Sequence, residues 1–418
     1  MKQYLINGEK KLFGEINIES SKNGVLPLLA SSILLDGTTI LHKLPNFLDI
    51  TNMIKILSSI GMKCEKEGDT LLIDGSTATK SELPLELATP LRSSIYTLGA
   101  FIGRFRKAKI CYPGGCDIGL RPIDLHLKGL QDLGVKIIEQ HGNIYCDATN
   151  MQCGEVFLDF PSVGATVNLV LASVLLSGET TIYNCAKEPE IVELQNFLNA
   201  MGAKIKGAGT STIKVKGVKK IHKVEWTPSS DRIVEGTYLL ACAICGGKVT
   251  IKNSCSGQNQ YLINLLTKSG CSVSQKSGVL TLECSRRLKS IQKLETMPYP
   301  AFPTDLQPQI MALQCVSQGT SILVENLYET RFKHVPELLK MGAKIIVKNQ
   351  TAFINGVEKL YGAEVKASDL RAGAGLVLAG LCAKGYTTIN GVEHILRGYE
   401  DLDLKLQQLG ADIILKKC

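Results

Sequence analysis

Residues 197–205 read Phe-Leu-Asn-Ala-Met-Gly-Ala-Lys-Ile, the end of a helical pattern followed at once by a strand-like one. Related phrases occur at 56–64, 129–137, 265–273, 338–345 and 406–413. The shared glycines are Gly61, Gly134, Gly202, Gly270, Gly342 and Gly410, at intervals of 73, 68, 68, 72 and 68 residues. Glycine in this place fits the left-handed residue that ends a helix. The pattern predicts six structural repeats of about 70 residues.

Most repeats also contain a stretch that is apolar on every side of a helix, for example 24–35, 164–176, 236–244 and 374–382. A helix that is hydrophobic all round is buried. A strand follows each such helix. The sequence therefore predicts a mixed α/β (α+β) fold of two similar domains, each with three repeats, in which sheets surround buried helices. The repeat is too long for an open doubly wound sheet.

Length and composition favour an ordinary globular protein. The 418 residues fit two domains, and 44% hydrophobic with 21% charged residues is a typical globular balance. The net charge of +8 favours anionic ligands. The chain has no Lys/Arg-rich tail of the kind that would indicate nucleic-acid binding. The N-terminus has no apolar signal core, and no apolar stretch is long enough to span a membrane. Despite 14 cysteines, we expect a reduced, cytoplasmic protein.

A glycine-rich turn at 113–119 carries the thiol of Cys116, with Arg121 close behind it. We expect a strand at 109–112 before this turn and a helix from Pro122 after it. A cation and a helix N-terminus favour the reactive thiolate and attract anions. The plainer interpretation is a surface turn with an incidental cysteine.

Cations recur at equivalent ends of the repeats, where they oppose the helix dipole. Ser, Thr and Asp at these places are explained by helix capping alone. The cations predict a shared electropositive cleft for a multiply charged anion, and they are Lys22, Arg92, Arg121, Arg232, Arg331, Arg371 and Arg397.

These residues belong to motifs that resemble the enolpyruvyl transferase family over essentially the whole chain. The motifs are Ser-Lys-Asn (21–23), Pro-Gly-Gly-Cys-x-Ile-Gly-x-Arg-Pro-x-Asp-Leu-His (113–126), Ser-Val-Gly-Ala-Thr (162–166), Glu-Pro-Glu-Ile-Val (188–192), Tyr-Pro-Ala-Phe-Pro-Thr-Asp (299–305), Arg-Phe-x-His-Val-Pro-Glu-Leu (331–338), Asp-Leu-Arg-Ala (369–372) and Arg-Gly-Tyr-Glu (397–400). Any one of them alone is a weak signal.

The resemblance implies two inside-out α/β barrel domains, 22–229 and 1–21 plus 230–418, with the active site in the cleft between them. It implies transfer of the enolpyruvyl group of phosphoenolpyruvate to the 3′-hydroxyl of UDP-N-acetylglucosamine, with release of phosphate. In the family this is the first committed step of peptidoglycan synthesis. No cofactor, metal or obligate protein partner is implied.

The resemblance also assigns residues. The catalytic residues would be Cys116, Asp305, Lys22 and Arg397. Cys116 would be the proton donor and the site of a covalent adduct. Phosphoenolpyruvate would be bound by Lys22, Asn23, Arg121 and Arg397. UDP-N-acetylglucosamine would contact Arg92, Arg121, Pro122, Ile123, Asp124, Leu125, Ser162, Val163, Gly164, Asp305 and Leu327. Supporting positions are Glu188, Arg331, Asp369 and Arg371. Because Cys116 occupies the loop, we expect inactivation by the epoxide fosfomycin.

Three alternatives remain open at the level of sequence. They are transfer to shikimate 3-phosphate, RNA 3′-terminal phosphate cyclisation, and binding of the nucleotide sugar without turnover. The last alternative is kept open by a departure from the family pattern. The family pattern has an acidic residue at position 234, whereas this chain has Val234 there and Glu235 one place later. His126 and His334 have either structural or substrate-orienting roles. Cys242 and Cys245 have CxxC spacing, but an apolar helix around them favours packing.

Overall fold

The structure is a computed structural model, and it describes residues 2–114, 118–119, 122–255 and 257–417. Of these, 20–114 and 122–229 form one compact unit, which we name the first unit. Residues 2–19, 118–119 and 230–417 form the second unit. The predicted residues Cys116 and Arg121 lie outside the described part of the chain.

The secondary structure alternates between helices and strands throughout. Two strands of the second unit come first, β1 (Lys2–Asn7) and β2 (Leu12–Asn17). The first unit follows with α1 (Lys22–Ser31), β3 (Thr38–Leu41), α2 (Leu48–Ser59), β4 (Lys63–Glu67), β5 (Thr70–Asp74), α3 (Leu85–Ala88), α4 (Tyr96–Phe105), β6 (Lys107–Cys111), α5 (Asp124–Asp132), β7 (Lys136–Gln140), β8 (Asn143–Asp147), β9 (Glu155–Phe157), α6 (Val163–Ser173), β10 (Glu179–Tyr183), α7 (Pro189–Ala200), β11 (Lys204–Lys206), β12 (Thr212–Lys216) and β13 (Val224–Trp226).

The second unit continues with α8 (Arg232–Cys245), β14 (Gly247–Lys252), α9 (Gln260–Ser269), β15 (Ser272–Lys276), β16 (Val279–Cys284), β17 (Lys293–Thr296), α10 (Gln307–Val316), β18 (Thr320–Glu325), α11 (Val335–Lys340), β19 (Lys344–Lys348), β20 (Thr351–Asn355), β21 (Glu364–Lys366), α12 (Leu370–Cys382), β22 (Tyr386–Asn390), α13 (Val392–Ile395), α14 (Leu402–Gln408) and β23 (Asp412–Lys417). Short 3₁₀ helices occur at Ser32–Leu34, Gly75–Thr77, Arg92–Ile95 and Thr304–Leu306.

The described residues of each unit form three sheets, one for each repeat. In the first unit their strand orders are β13-β3-β5-β4, β6-β8-β7 and β11-β12-β10-β9. In the second unit they are β15-β16-β14-β2, β17-β18-β20-β19 and β21-β22-β1-β23. The prediction of a mixed α/β fold with six repeats is therefore confirmed. Within the described residues the three sheets of each unit stay separate and do not close into one barrel of strands.

The apolar helices lie inside the units, as predicted. Residues of α1, α4 and α6 belong to the core of the first unit, and those of α8, α10 and α12 to the core of the second. The six repeat glycines all have positive φ, between 87° and 121°, which confirms their role at the helix ends. No described helix is long and apolar enough to cross a membrane.

Two local boundaries differ from the sequence expectation. Strand β6 occupies Lys107–Cys111, so it begins and ends earlier than the expected 109–112. Helix α5 begins at Asp124, with Ile123 as its N-cap residue, and not at Pro122. An acidic residue in the first helical turn is favoured by the helix dipole, which explains why Asp124 is the start.

Candidate functional site

Lys22 lies at the start of α1, where the hydroxyl of Ser21 caps the helix by accepting the Gly24 N–H at 3.2 Å. The Lys22 ammonium donates to the Asp49 carboxylate at 3.2 Å. Asp49 is buried and belongs to the first turn of α2. Sequence reasoning missed it, because it lies 27 residues from Lys22. Asn23 is half-buried beside Lys22.

A buried glutamate, Glu193, holds the segment at Ser229 beside the start of α1. Glu193 accepts the Ser229 N–H at 2.6 Å, and the Ser229 carbonyl accepts the Ser21 N–H at 2.8 Å. Burial raises the pKa of Glu193, and the hydrogen bonds to Ser229 and Trp226 act in the opposite direction. The N-cap of α1, and therefore Lys22, is anchored to the end of the first unit.

The predicted nucleotide-sugar segment of the glycine loop is described from Pro122 onward. Pro122 and Asp124 are exposed, Ile123 is buried, and Leu125 is half-buried. Arg92 begins a 3₁₀ helix and donates to the Pro113 carbonyl at 3.4 Å.

The buried imidazole of His126 follows this segment directly. Asn168 accepts the Gly99 N–H with Oδ1 at 2.7 Å, so its Nδ2 faces His126 Nδ1, also at 2.7 Å. Because Nδ2 is a donor, Nδ1 of His126 must be the acceptor, and the ring proton is on Nε2. Burial and nearby Arg92 lower the pKa of His126 to about 3. The ring is therefore neutral, and Asn168 holds it in place.

The ring of His126 lies against the first turn of α6, which carries the other predicted nucleotide-sugar residues. Ser162 caps α6 by accepting the Ala165 N–H at 3.3 Å, and Val163 and Gly164 follow it half-buried. A Cβ on Gly164 would lie 2.7 Å from Cε1 of His126 and 2.8 Å from Nε2. Glycine is therefore required here for close packing. The structure brings segments 122–125 and 162–164 together through His126.

Asp305 lies in the 3₁₀ helix Thr304–Leu306 of the second unit, between two buried guanidinium groups. Arg371 donates through Nη2 to Asp305 Oδ2 at 2.9 Å, and Arg331 donates through Nη2 to Oδ1 at 3.4 Å. The Arg331 and Arg371 side chains are 2% and 3% exposed, whereas that of Asp305 is 30% exposed. One carboxylate is thus held by two cations and still reaches solvent.

Asp369 completes this cluster from the other side. It caps α12 by accepting the Arg371 and Ala372 N–H groups at 3.0 and 3.1 Å. Its Oδ1 also lies 3.7 Å from Nη1 of Arg331. Burial lowers the pKa of Arg371, but the nearby Asp305, Tyr399 and Asp231 together outweigh burial, so the pKa lies above its usual value. We name Asp305, Arg331, Asp369 and Arg371 the carboxylate–arginine cluster.

Glu325 joins this cluster to the predicted residue Leu327. Its carboxylate accepts the Thr304 hydroxyl at 3.0 Å and the Leu327 and Tyr328 N–H groups at 2.9 and 3.2 Å. Glu325 is fully buried, which raises its pKa. Sequence reasoning missed this residue, since a glutamate at the end of a strand carries no distinctive signal.

The remaining predicted residues are placed as follows. Arg397 is half-buried and follows the short helix α13, and does not begin a helix. Arg331 lies in a turn before α11. Glu188 is the N-cap residue of α7, whose first residue is Pro189. The described glycine-loop residue Ile118 accepts the Thr330 N–H at 3.3 Å within the second unit.

The altered segment 230–236 has a structural explanation. Asp231 caps α8 by accepting the Ile233 and Val234 N–H groups at 2.8 and 3.0 Å. Val234 lies in the hydrophobic core. Glu235 accepts the Cys255 N–H at 2.9 Å and the Asn259 amide at 2.8 Å. The acid at 235 therefore has its own partners in this chain.

The CxxC pair lies in helix α8, as predicted, with Cys242 buried and Cys245 half-buried. Among the described residues, no group of three or more His, Cys, Asp or Glu side chains is arranged to hold a metal ion.

The chain is similar over nearly its whole length to known proteins. The family model of EPSP synthase (3-phosphoshikimate 1-carboxyvinyltransferase) matches residues 6–406. A UDP-N-acetylglucosamine 1-carboxyvinyltransferase 2 of Caldanaerobacter subterraneus is 48% identical over 414 residues, 99% of each chain. One from Clostridium acetobutylicum is 42% identical over 418 residues, 100% of each chain.

Solved structures show the same fold. The enolpyruvyl transferase NikO from Streptomyces tendae superposes with a TM-score of 0.89 at 23% identity, covering 100% of this chain and 99% of that one. EPSP synthase from Acinetobacter baumannii gives a TM-score of 0.74 at 18% identity, covering 100% of both chains. The chain therefore belongs to the EPSP synthase family, the enolpyruvyl transferases.

Proposed function

We propose that this enzyme transfers the enolpyruvyl group of phosphoenolpyruvate to the 3′-hydroxyl of UDP-N-acetylglucosamine and releases phosphate, the first committed step of peptidoglycan synthesis. The single observation that carries the choice of acceptor is full-length identity of 42–48% to relatives named for that acceptor. The carboxylate–arginine cluster supports the chemistry. We also infer that each unit, with its helices inside three sheets, is the inside-out α/β barrel that the family resemblance implies.

The reaction is an addition followed by an elimination. The sugar hydroxyl gives up its proton to a basic group of the enzyme as its oxygen forms a bond to C2 of phosphoenolpyruvate, and a proton is delivered to C3, which becomes a methyl group. In the second half, a proton leaves C3, the bond from C2 to the phosphate oxygen breaks, and the vinyl ether and inorganic phosphate are formed. The enzyme must therefore hold two anionic groups, orient one hydroxyl and supply one proton.

We assign the orientation of the hydroxyl to Asp305. Its carboxylate is held in one position by hydrogen bonds from Arg331 and Arg371. An ionised carboxylate only accepts hydrogen bonds, so it can receive the sugar O–H and direct the oxygen lone pairs at C2. Its exposure of 30% leaves room for that contact.

The anionic groups and the proton are assigned to other residues. Lys22, Asn23, Arg121 and Arg397 bind phosphoenolpyruvate, and Cys116 is the proton donor. The nucleotide sugar is bound by Arg92, Pro122, Ile123, Asp124, Leu125, Ser162, Val163, Gly164 and Leu327. The supporting residues are Glu188, Arg331, Asp369 and Arg371. The ion pair with buried Asp49 holds the Lys22 ammonium in place for this purpose.

The test measures phosphate release from phosphoenolpyruvate with UDP-N-acetylglucosamine and, separately, with shikimate 3-phosphate. We expect phosphate release when UDP-N-acetylglucosamine is the acceptor and none when shikimate 3-phosphate is the acceptor. The reverse result would overturn the proposal in favour of shikimate 3-phosphate. The variant Asp305→Asn should lose activity, and Asp412→Asn, at an exposed strand residue of the same unit, is the control.

The assignment of Cys116 has its own experiment. Intact-mass measurement after exposure to fosfomycin should show one adduct, and peptide mapping should place it on Cys116. The variant Cys116→Asp should show no adduct. Full activity without an adduct after saturating exposure contradicts the assignment.

A further inference from the structure

Three buried polar side chains lie behind the carboxylate–arginine cluster, and the proposed mechanism does not use them. They are Thr237 of α8, Gln309 of α10 and Tyr399, with exposures of 1%, 0% and 1%. Buried polar groups are costly unless they are hydrogen-bonded, so such a group calls for an explanation.

The direction of each hydrogen bond in this group is fixed by chemistry. The Thr237 hydroxyl lies 2.8 Å from the Ile233 carbonyl, which can only accept, so Thr237 donates there. The Tyr399 hydroxyl, 2.9 Å from Thr237 Oγ1, must then donate to it. Gln309 Nε2 donates toward the Asp305 carbonyl at 3.1 Å, and it lies 3.2 Å from both hydroxyl oxygens.

The hydrogen bonds to Thr237 and Gln309 fix the Tyr399 side chain, and Arg371 lies beside it. The guanidinium carbon of Arg371 also lies 5.6 Å from the centre of the Tyr399 ring, a cation–π distance. Among the described residues, Nη1 of Arg371 has no hydrogen-bond partner. The position of this guanidinium is therefore set largely by Asp305 on one side and Tyr399 on the other.

Tyr399 also follows Arg397 by two residues. Its backbone N–H donates to the Ile395 carbonyl at 3.2 Å, which holds this part of the chain to α13. The single side chain of Tyr399 thus connects the segment of Arg397 with Arg371 and, through Gln309, with the backbone of Asp305.

We propose that Tyr399 is a positioning residue of the enolpyruvyl transfer, which holds Arg371 so that Asp305 keeps the orientation needed for the acceptor hydroxyl. The inference rests on the proposed function. Tyr399 does not touch the reacting atoms, and its effect is exerted through Arg371.

The experiment compares Tyr399→Phe with Tyr238→Phe in the full chain. Tyr238 is adjacent to Thr237 and fully buried, and among the described residues its hydroxyl has no hydrogen-bond partner. Both variants lose one buried hydroxyl from the same unit and keep the ring. We expect Tyr399→Phe to lower kcat about tenfold to a hundredfold with less than about a threefold change in KM for UDP-N-acetylglucosamine, because misplacement affects the reacting geometry most. Tyr238→Phe should keep kcat within about twofold.

A second pair of variants tests the direction of the network. Thr237→Ser keeps the acceptor for the phenol and should retain the wild-type kcat. Thr237→Val removes it and should lower kcat in the same sense as Tyr399→Phe. Equal kcat for Tyr399→Phe and Tyr238→Phe, or a loss confined to thermal stability, overturns the inference. If the wild-type chain itself fails to turn over UDP-N-acetylglucosamine, the proposed function fails instead, and the two failures are thus distinguished.

Discussion

Gly164→Ala is a sharp test of how α6 is positioned. The new Cβ would lie 2.7 Å from Cε1 of His126, whereas ordinary contacts begin near 3.4 Å, so one group must move by about 0.7 Å. The ring cannot move away freely, because Asn168 holds Nδ1 at 2.7 Å and is itself held by the Gly99 N–H. The first turn of α6 is therefore expected to shift, and it carries Ser162 and Val163.

Overpacking of this kind costs about 1–3 kcal/mol, and the helix preference of alanine over glycine returns up to about 1 kcal/mol. We expect a net loss of about 0–3 kcal/mol in the free energy of unfolding. Since a displacement of 1 Å can cost about a hundredfold in activity, we expect KM for UDP-N-acetylglucosamine to rise about tenfold.

The assays are denaturant unfolding and steady-state kinetics with the nucleotide sugar varied. Gly154→Ala is the matched control in the same unit, because its Cβ would meet nothing closer than 3.9 Å. If Gly164→Ala leaves both KM and stability at the values of this control, the reasoning about the His126 contact is refuted.

Three further predictions follow from buried charges. Burial lowers the pKa of His126 to about 3 and of His334 to about 4, against 6.5 for a free histidine. Because the unfolded chain binds protons that the fold excludes, the free energy of unfolding is highest above pH 6.5 and falls on acidification by up to about 1.4 kcal/mol per pH unit for each ring. Denaturant titrations between pH 7 and 5 will measure this loss. Glu235→Gln places an amide donor against the Cys255 N–H or the Asn259 amide and should cost about 1–3 kcal/mol of unfolding free energy, with exposed Glu283→Gln near zero. Arg331→Met leaves buried Asp369 without its cation and should cost about 3–5 kcal/mol by the same measurement, and an unchanged midpoint would contradict the role of this pair.

The repeated parts of the fold were predictable from sequence because their signals are local. A glycine such as Gly202 reports a left-handed helix end through its own backbone preference, and its φ of 99° agrees. The burial of α6 followed in the same way from apolar residues on every side. The exact start of α5 was less predictable, because proline at 122 and aspartate at 124 are both favourable near a helix N-terminus.

The contacts that give the candidate site its geometry were not predictable in this way. Asp305 and Arg371 are 66 residues apart, and His126 and Asn168 are 42 apart. Nothing local distinguishes Asn168 from the apolar residues around it in α6. The family motifs named Asp305 and Arg371 separately, but only the fold shows that one carboxylate is held by two buried guanidinium groups.

The placement of β1 between β22 and β23 has a consequence for biosynthesis. Lys2 pairs with Lys417 and Gln3 with Asn390, so β1 must wait until β22 and β23 have been made before its sheet is complete. The first unit, by contrast, draws on residues 20–229 alone and can form while the chain is still on the ribosome. During that interval β1 and β2 are strands without partners, which is a state prone to wrong pairing. Synthesis that stalls before residue 412 leaves β1 with one neighbour missing, so we expect stalled chains to show a folded first unit and an unassembled second one.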